Sequence, residues 1–396
     1  GSNRLRAGLV IAETAVGVVL LVSAGLLLRS FVQLIQVDPQ FNPHRLLALD
    51  LNLPMTRYGD QQRAQFYKQL LLQLNALPGV SAAAGAWPLP FSADNAIISF
   101  EIQGRPTPPG HQPISDMAIV SPGYFHTMGI ALLKGRDFSL RDDAKASPVV
   151  IINQSFARRY FPNQDPIGQH IQSGFSNSNK PAPMREIVGV VGDSKHVSLS
   201  DEFAPAYYLP YFQVDFGPSL DLLVRSTGNP AGQLDAVRNV VHRMDSELAI
   251  YNAQTMDEMV SHSANQPRFN AFLLSLFAAV ALLLTAIGLY GVMAYSVVQK
   301  THEIGVRMAL GADPRDLLHM VLRRAIVLVG TGLGAGIVVG LGVTRFLANM
   351  LYGVHPLDAA TFAGVAVVLL AVGLLASYIP ARRAAKVDPM VALRYE

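Results

Sequence analysis

The chain has 396 residues, of which 51% are hydrophobic and only 15% are charged. Soluble domains contain roughly 25% charged residues, so this composition predicts that part of the chain lies in lipid, and it excludes a disordered protein. The net charge of +3 does not indicate nucleic acid as a partner. The absence of cysteine excludes disulfides, thiolate metal sites and cysteine nucleophiles.

The first apolar run covers residues 8–28 and contains one charge, Glu13. Its length suits a membrane helix, which needs about 20 predominantly apolar residues. A carboxylate inside a membrane helix is a candidate for a proton or cation relay. However, Glu13 lies only about a turn and a half from the end of the run, where its side chain can reach the lipid headgroups. We therefore favour the structural interpretation of Glu13.

The segment from residue 30 to residue 270 alternates strands with helices. We predict strands at 46–53, 80–87, 97–103, 116–120, 148–152, 186–191, 221–225 and 248–254, and helices at 61–77 and 230–244. Two stretches rich in Pro, Gly and Ser, 104–113 and 174–183, are predicted to be exposed loops. The mixed order of elements predicts an α+β domain in two lobes, with the middle of the segment forming the second lobe.

Motifs for catalysis and for metal binding are missing from the sequence. There is no G-x-x-x-x-G-K-[ST] phosphate loop and no G-x-S-x-G nucleophile elbow. The pair His302-Glu303 begins like a zinc-protease helix, but Val306 occupies the position of the second histidine. Asp142, Asp143 and the ten histidines lack ligand spacing, and we interpret them as surface residues. We therefore predict no catalytic residue, no cofactor and no metal, with a membrane-anchored enzyme as a remote alternative.

Three further apolar runs cover residues 271–298, 325–346 and 359–380, and they contain no charge apart from flanking arginines. Core helices of soluble proteins carry a polar face, so we predict that these runs cross the membrane. In the second of the three, the glycines at 332, 336 and 340 are four residues apart and line one helix face. The alternative, a phosphate-binding loop, lacks the third glycine of G-x-G-x-x-G. We predict that Gly332, Gly336 and Gly340 pack closely against a neighbouring helix.

Basic residues flank these runs on one side of the membrane. They are Arg4, Arg6, Lys300, Arg307, Arg315, Arg323, Arg324, Arg382, Arg383, Lys386 and Arg394. By the positive-inside rule, both termini and loop 299–324 are cytoplasmic, whereas segment 30–270 and link 350–358 lie outside. Arg29 and Arg345 lie at the outer helix ends, against this trend.

Loop 299–324 carries a short helical pattern. Ile304 and Met308 give it a small apolar face, and Gly311 suits the C-cap. A second helix is predicted to begin at Asp313-Pro314. The first helix is either an amphipathic anchor at the membrane surface or a docking surface for a cytosolic partner.

Residues 301–312 closely resemble the coupling-helix signature of the FtsX/MacB superfamily of ABC-transporter permeases. The residues that match this signature, and that the resemblance implies bind an ATPase, are Thr301, His302, Glu303, Ile304, Gly305, Arg307, Met308, Ala309, Leu310, Gly311 and Ala312. The resemblance extends over the whole chain, including residues 13–31, 124–130, 186–193 and 380–389. In detail, the sequence is most similar to one unit of the duplicated orphan permeases of acidobacteria, so we expect this chain to be part of a longer polypeptide.

The resemblance implies a membrane protein with four transmembrane α-helices and a large two-lobed α+β periplasmic domain. Residues 1–30 are expected to form the N-terminus and first span, 31–268 the MacB-like periplasmic core and 269–396 the FtsX-like permease domain. It also implies a multi-pass protein of the bacterial inner membrane. The partners implied are a separate ABC ATPase, a second permease unit (as a homodimer or as a duplicated unit in one chain) and a periplasmic adaptor.

The resemblance implies a permease subunit that couples ATP binding on a separate ATPase to a periplasmic conformational change for export or efflux. The alternative is a signalling or regulatory membrane protein of the same superfamily, acting in peptide sensing or in the control of cell-wall hydrolases. Neighbouring genes would discriminate between them: an adaptor and an outer-membrane channel favour export, whereas a histidine kinase or a hydrolase favours regulation.

Overall fold

The structure is a computed structural model that describes residues 2–92, 94–108, 110–175, 181–214, 219–299 and 314–384. The chain divides into two compact units. The helical unit comprises Gly1–Gln36 and Asn265–Glu396, and the sheet unit comprises Val37–Ala264.

Four long helices of the helical unit lie within the described residues. They are α1 (Ser2–Leu34), α7 (Asn265–Gln299), α8 (Pro314–Leu347) and α9 (Ala359–Ala384). The stretches long and apolar enough to cross a membrane are Ala7–Leu34, Asn265–Tyr295, Ala325–Leu347 and Ala359–Pro380. The four predicted transmembrane helices are therefore confirmed. The helix predicted to begin at Pro314 is the first part of α8, continuous with the third span.

Helix α1 packs against α7, α8 and α9. Its buried apolar residues join two clusters. The first cluster contains Val10, Leu289, Met293, Ala325, Leu328 and Val329. The second contains Val18, Val22, Leu26, Val365 and Leu369. Other apolar side chains of these helices, such as Val338 and Leu375, are exposed, as expected for lipid-facing positions.

The sheet unit contains eleven strands within the described residues. They are β1 (Leu46–Leu51), β2 (Val80–Trp87), β3 (Ile97–Ile102), β4 (Ile114–Val120), β5 (Leu132–Gly135), β6 (Val149–Asn153), β7 (His170–Ser173), β8 (Met184–Val191), β9 (Ala206–Pro210), β10 (Asp221–Ser226) and β11 (Ile250–Thr255). The helices are α2 (Asp60–Asn75), α3 (Tyr124–Met128), α4 (Gln154–Tyr160), α5 (Leu234–Met244) and α6 (Met256–Ser263).

The first lobe is an antiparallel sheet in the order β11-β1-β10-β2. Helix α2 presents buried residues at helical spacing, including Phe66, Tyr67, Leu70 and Leu74, and these join the same core as the buried valines of α5. The α2 helix is followed by a turn at Gly79, whose φ of +82° favours glycine.

The second lobe is a closed barrel. Strands β4, β3, β7, β8, β6 and β9 pair in that order, and β9 pairs back onto β4, while β5 adds to β8. Each barrel strand contributes an apolar side chain to one buried cluster: Phe100, Met117, Val150, Ile171, Ile187 and Tyr207. Closure leaves these six strands without a free edge along their paired lengths.

The barrel is inserted into the first lobe between two neighbouring strands, β2 and β10. Within the described residues, two residue pairs join β2 to β4, namely Ala86 with Val120 and Trp87 with Ile119. The predicted α+β fold is confirmed, and the middle of the segment forms the second lobe. The sequence prediction missed β5, β7, β9, α3, α4 and α6, all of which are eight residues or shorter.

Candidate functional site

The predicted ATPase-docking residues lie outside the described residues. They are Thr301, His302, Glu303, Ile304, Gly305, Arg307, Met308, Ala309, Leu310, Gly311 and Ala312. Helix α7 ends at Gln299 and α8 begins at Pro314. These residues therefore connect the second and third apolar helices directly along the chain.

Two of the three predicted packing glycines face α1 at very short distance. A Cβ atom on Gly332 would lie 2.6 Å from Cβ of Thr14, and one on Gly336 would lie 2.6 Å from Cβ of Val18. Gly340 is buried too, but its nearest neighbour is Phe362 of α9, at 3.8 Å from a Cβ. All three glycines lie on α8: Gly332 and Gly336 pack against α1, whereas Gly340 faces α9.

Glu13 faces α7 rather than α8. Its carboxylate approaches Gly288 so closely that a Cβ there would overlap Oε2. This oxygen is buried and has no hydrogen-bond partner within the described residues. One turn further along α1, a Cβ on Gly17 would lie 3.4 Å from Oγ1 of Thr285. Small residues thus permit close approach of α1 to α7 as well as to α8.

The C-terminal part of α1 carries an ion pair that the sequence analysis did not anticipate. Nη1 of Arg29 lies 2.5 Å from Oδ2 of Asp358, in the link between α8 and α9. The same oxygen accepts hydrogen bonds from the backbone N–H and the hydroxyl of Thr361, at 3.0 and 2.6 Å. Hydrogen bonds from Thr361 lower the pKa of Asp358 despite some desolvation, and Arg29 adds to this effect. The carboxylate is therefore charged at neutral pH.

Two more polar residues of α1 bind the same link. The hydroxyl of Ser30 accepts a hydrogen bond of 2.7 Å from the backbone N–H of Tyr352. The amide nitrogen of Gln33, in the orientation that satisfies its surroundings, donates to the carbonyl oxygens of Tyr352 and Gly353 at 3.2 and 2.8 Å. Gly353 has a φ of +65°, and a Cβ there would overlap the Gln33 side chain, so this turn favours glycine. We call Arg29, Ser30 and Gln33 with their partners the α1 latch.

The sheet unit shows no group of three or more His, Cys, Asp or Glu side chains arranged to hold a metal ion within the described residues. The barrel carries an open groove of about 580 Å³ beside α4, lined in part by Lys134, Arg158, Phe161 and Val190. Both basic side chains form ion pairs, Lys134 with Asp165 and Arg158 with Asp193. Neither therefore offers an unpaired positive charge to the groove.

The interpretation of Asp142 as a surface residue was wrong. Asp142 is only 4% exposed, and its carboxylate accepts two hydrogen bonds from the Arg136 guanidinium, at 2.8 and 2.7 Å. Burial opposes ionisation, but Arg136 and Ser139 together hold the pKa of Asp142 below its ordinary value. The pair fixes the loop after β5, which is a structural role that short-range sequence spacing does not reveal.

His196 also departs from the surface interpretation of the histidines. Its Nε2 lies 3.2 Å from the hydroxyl of Tyr208, and burial lowers the pKa of His196 to about 4. Burial has the opposite effect on two carboxyls, since it raises the pKa of Asp116 to about 6 and that of Asp221 to about 7. Asp50 and Asp94 add to the effect at Asp221.

A signal for the α1 latch was present in the sequence. Arg29 contradicts the positive-inside rule, and Asp358 is an acidic residue in the short link that the same rule places on that side. In the structure these two residues form an ion pair, so each charge has an opposite charge beside it.

Two sequence families match the chain. The MacB-like periplasmic core domain matches residues 7–243, and the FtsX-like permease C-terminal domain matches residues 275–389. The chain is 30% identical over 275 residues to the macrolide export ATP-binding/permease protein MacB of Azoarcus sp. strain BH72, covering 66% of this chain and 40% of that protein. It is 29% identical over 273 residues to the pyoverdine export ATP-binding/permease protein PvdT of Pseudomonas savastanoi pv. phaseolicola, covering 67% and 40%.

The MacB protein of Mannheimia succiniciproducens is 25% identical over 354 residues, which cover 86% of this chain and 51% of that protein. The chain thus spans between two fifths and about half of the length of these curated relatives. Among solved structures, the periplasmic region of MacB from Actinobacillus actinomycetemcomitans aligns with a TM-score of 0.37 at 13% identity, covering 57% of this chain and 95% of that one.

Proposed function

Because the chain belongs to the family of MacB/FtsX-type ABC-transporter permeases, we propose that it is a permease subunit that couples ATP binding on a separate ATPase to a conformational change of its periplasmic domain for export. The observation that carries the proposal is the arrangement of the two family matches. A large α+β unit is inserted between the first and second apolar helices, and a helical unit provides the membrane part. The sequence itself contains no phosphate-binding loop.

The long helices suit a mechanical function. Helix α1 has 33 residues and α7 has 35; at about 1.5 Å per residue each is ~50 Å long, whereas the hydrocarbon core is ~30 Å thick. Helix α1 ends at Leu34, just before the sheet unit begins, and α7 begins at Asn265, just after it ends. Displacement of either helix along its axis would therefore reach the sheet unit through only a few residues.

The proposed entry point of this displacement is the predicted helix 301–311, where the ATPase would dock. Ile304 and Met308 would supply an apolar anchor, and Glu303 with Arg307 a charged rim, which is the usual anatomy of a compact interface. The small residues in this helix would permit close approach of the partner. Docking here would act on α7 and α8 together, because residues 300–313 connect these two helices along the chain.

The proposal includes an orientation and a packing role. Both termini and loop 299–324 would be cytoplasmic, and the sheet unit periplasmic. Domain limits at residues 1–30, 31–268 and 269–396 fit this orientation. Gly332 and Gly336 would hold α8 against α1, with Gly340 supporting α9. A second permease unit and a periplasmic adaptor would complete the assembly.

Co-purification tests the docking surface. The full chain would be purified from its native membrane with its bound ATPase, and ATP hydrolysis would be measured in proteoliposomes with and without the permease. We expect Glu303→Arg and Met308→Asp to lose the partner or its stimulation. Asp316→Arg, a charge reversal in α8 outside the docking helix, serves as the control and retains both. Full partner retention and full stimulation in both docking variants would contradict the assignment.

A further inference from the structure

The contacts of α1 with its neighbours differ between its two halves. In the N-terminal half, α1 lies against both α7 and α8, through Glu13 and Gly17 on one side and Thr14 and Val18 on the other. In the C-terminal half, the side-chain hydrogen bonds and ion pairs of Arg29, Ser30 and Gln33 within the described residues run to the link between α8 and α9. The two ends of α1 are therefore held differently.

The packing along the α8–α9 side is close at several successive levels. The Cβ positions of Gly332 and Gly336 lie 2.6 Å from Cβ atoms of α1, and a Cβ on Gly25 would lie 2.9 Å from Cγ2 of Thr361. The α1 latch follows directly after Gly25. Because close-packed surfaces slide only by separating first, α1 is held to α8, the link and α9 along most of its length.

Among these contacts of α1 with α8, the link and α9, the α1 latch is the one that includes an ion pair. Arg29 is about half exposed and Asp358 is 19% exposed, so their ion pair lies at a surface where such pairs contribute little to stability. This ion pair lies in the last two turns of α1, just before the chain enters the sheet unit. Its position suits it to hold the end of α1 in place rather than to stabilise the fold.

We propose that Arg29 is a positioning residue for the transmission of movement: its ion pair with Asp358 fastens the C-terminal end of α1 to the α8–α9 link, so that movement of α8 reaches the sheet unit through α1. This inference rests on the proposed coupling function. It adds a route, from the docking loop through α8 and the latch into α1, and it names α1 rather than α7 as the helix that carries the movement.

The test measures displacement directly in the full chain. The protein has no native cysteine, so Lys68→Cys on exposed α2 and Phe269→Cys on exposed α7 place two unique spin labels. Pulsed electron paramagnetic resonance then gives the distance between the labels with and without a non-hydrolysable ATP analogue, in proteoliposomes that contain the co-purified ATPase. The variants are Arg29→Asp, the charge swap of Arg29→Asp with Asp358→Arg, and the control Arg345→Asp, which changes an exposed arginine of α8 by the same charge.

We expect Arg29→Asp to reduce the fraction of molecules that shift by about threefold, the size of effect that an exposed ion pair can exert. The charge swap restores the shift, and Arg345→Asp leaves it unchanged. The melting temperature in detergent is measured for each protein, since a purely structural role would lower it without rescue of movement. Asp358→Asn, which keeps an acceptor for Thr361, provides a second variant should Arg29→Asp fold poorly.

Two results overturn the proposal alone: a normal shift in both Arg29→Asp and Asp358→Asn, or a reduced shift that the charge swap does not restore. If the unsubstituted protein shows no nucleotide-dependent shift at all, the coupling function fails and this inference fails with it. The two failures are thus told apart by the behaviour of the unsubstituted protein.

Discussion

The close approach of α8 to α1 makes a sharp prediction for Gly336. Alanine at this position would place its Cβ 2.6 Å from Cβ of Val18 and 2.9 Å from the carbonyl oxygen of Ala15. Carbon atoms in contact prefer about 3.5–4.0 Å, so the two helices must separate by about 1 Å. The atom of Val18 that clashes is its Cβ, which rotation about χ1 does not move, and Val18 is fully buried; the clash is therefore relieved only by movement of the helix backbones.

Overpacking of this kind costs about 1–3 kcal/mol, and in lipid no hydrophobic gain compensates for lost helix contacts. We expect Gly336→Ala to lower the melting temperature in detergent and the yield of folded protein. The same substitution at Gly334, two residues away with no atom within 4 Å of its Cβ position, is the matched control and should have no effect. Equal stability of Gly336→Ala and Gly334→Ala would refute the packing argument.

Three other predictions concern the sheet unit and the topology. Asp221→Asn should stabilise the protein more at pH 8 than at pH 5. The folded-state pKa of Asp221, about 7, lies above the ordinary 3.8, so ionisation of this carboxyl destabilises the folded protein as pH rises, and the difference in unfolding free energy between variant and unsubstituted protein should grow by roughly 2–3 kcal/mol. A pH-independent difference would contradict this prediction. Asn153→Ala should cost about 2 kcal/mol or more in thermal unfolding, because its buried side chain bonds Phe156, Ala204 and Ala206; the exposed Gln169→Ala should cost nothing, and equal effects would argue against this role. In intact spheroplasts, an impermeant thiol reagent should label Lys145→Cys but not His319→Cys, and the opposite pattern would reverse the proposed orientation.

Local patterns predicted much of the fold. The strand at 80–87 was predicted at the bounds that the structure gives to β2, because a clear turn precedes it and the apolar run has strand length. Strand β9 and the predicted strand β6 are both buried at all five positions, so neither shows the alternation of a half-exposed strand. Strand β9 escaped detection because it also ends in Pro210, and proline argues against a strand. Closure of the barrel depends on β4 pairing with β9, whose partners Asp116 and Ala206 are far apart in sequence. No local pattern encodes such a pairing.

The candidate site shows the same division. Spacing alone put Gly332, Gly336 and Gly340 on one helix face, and the structure gives them three buried positions. Spacing could not tell which helix each one meets, because that depends on the crossing of α8 with α1 and α9. The α1 latch joins residues more than 300 positions apart, so only the violated charge rule at Arg29 pointed towards it.

Coupling of nucleotide binding to the sheet unit is the central claim, and the label pair at Lys68 and Phe269 tests it most directly. With the co-purified ATPase in proteoliposomes, the distance between the labels should shift when a non-hydrolysable ATP analogue binds, and Met308→Asp should abolish the shift while the protein stays folded. A distance distribution that is identical with and without nucleotide, in preparations where the ATPase is bound and active, would contradict the account.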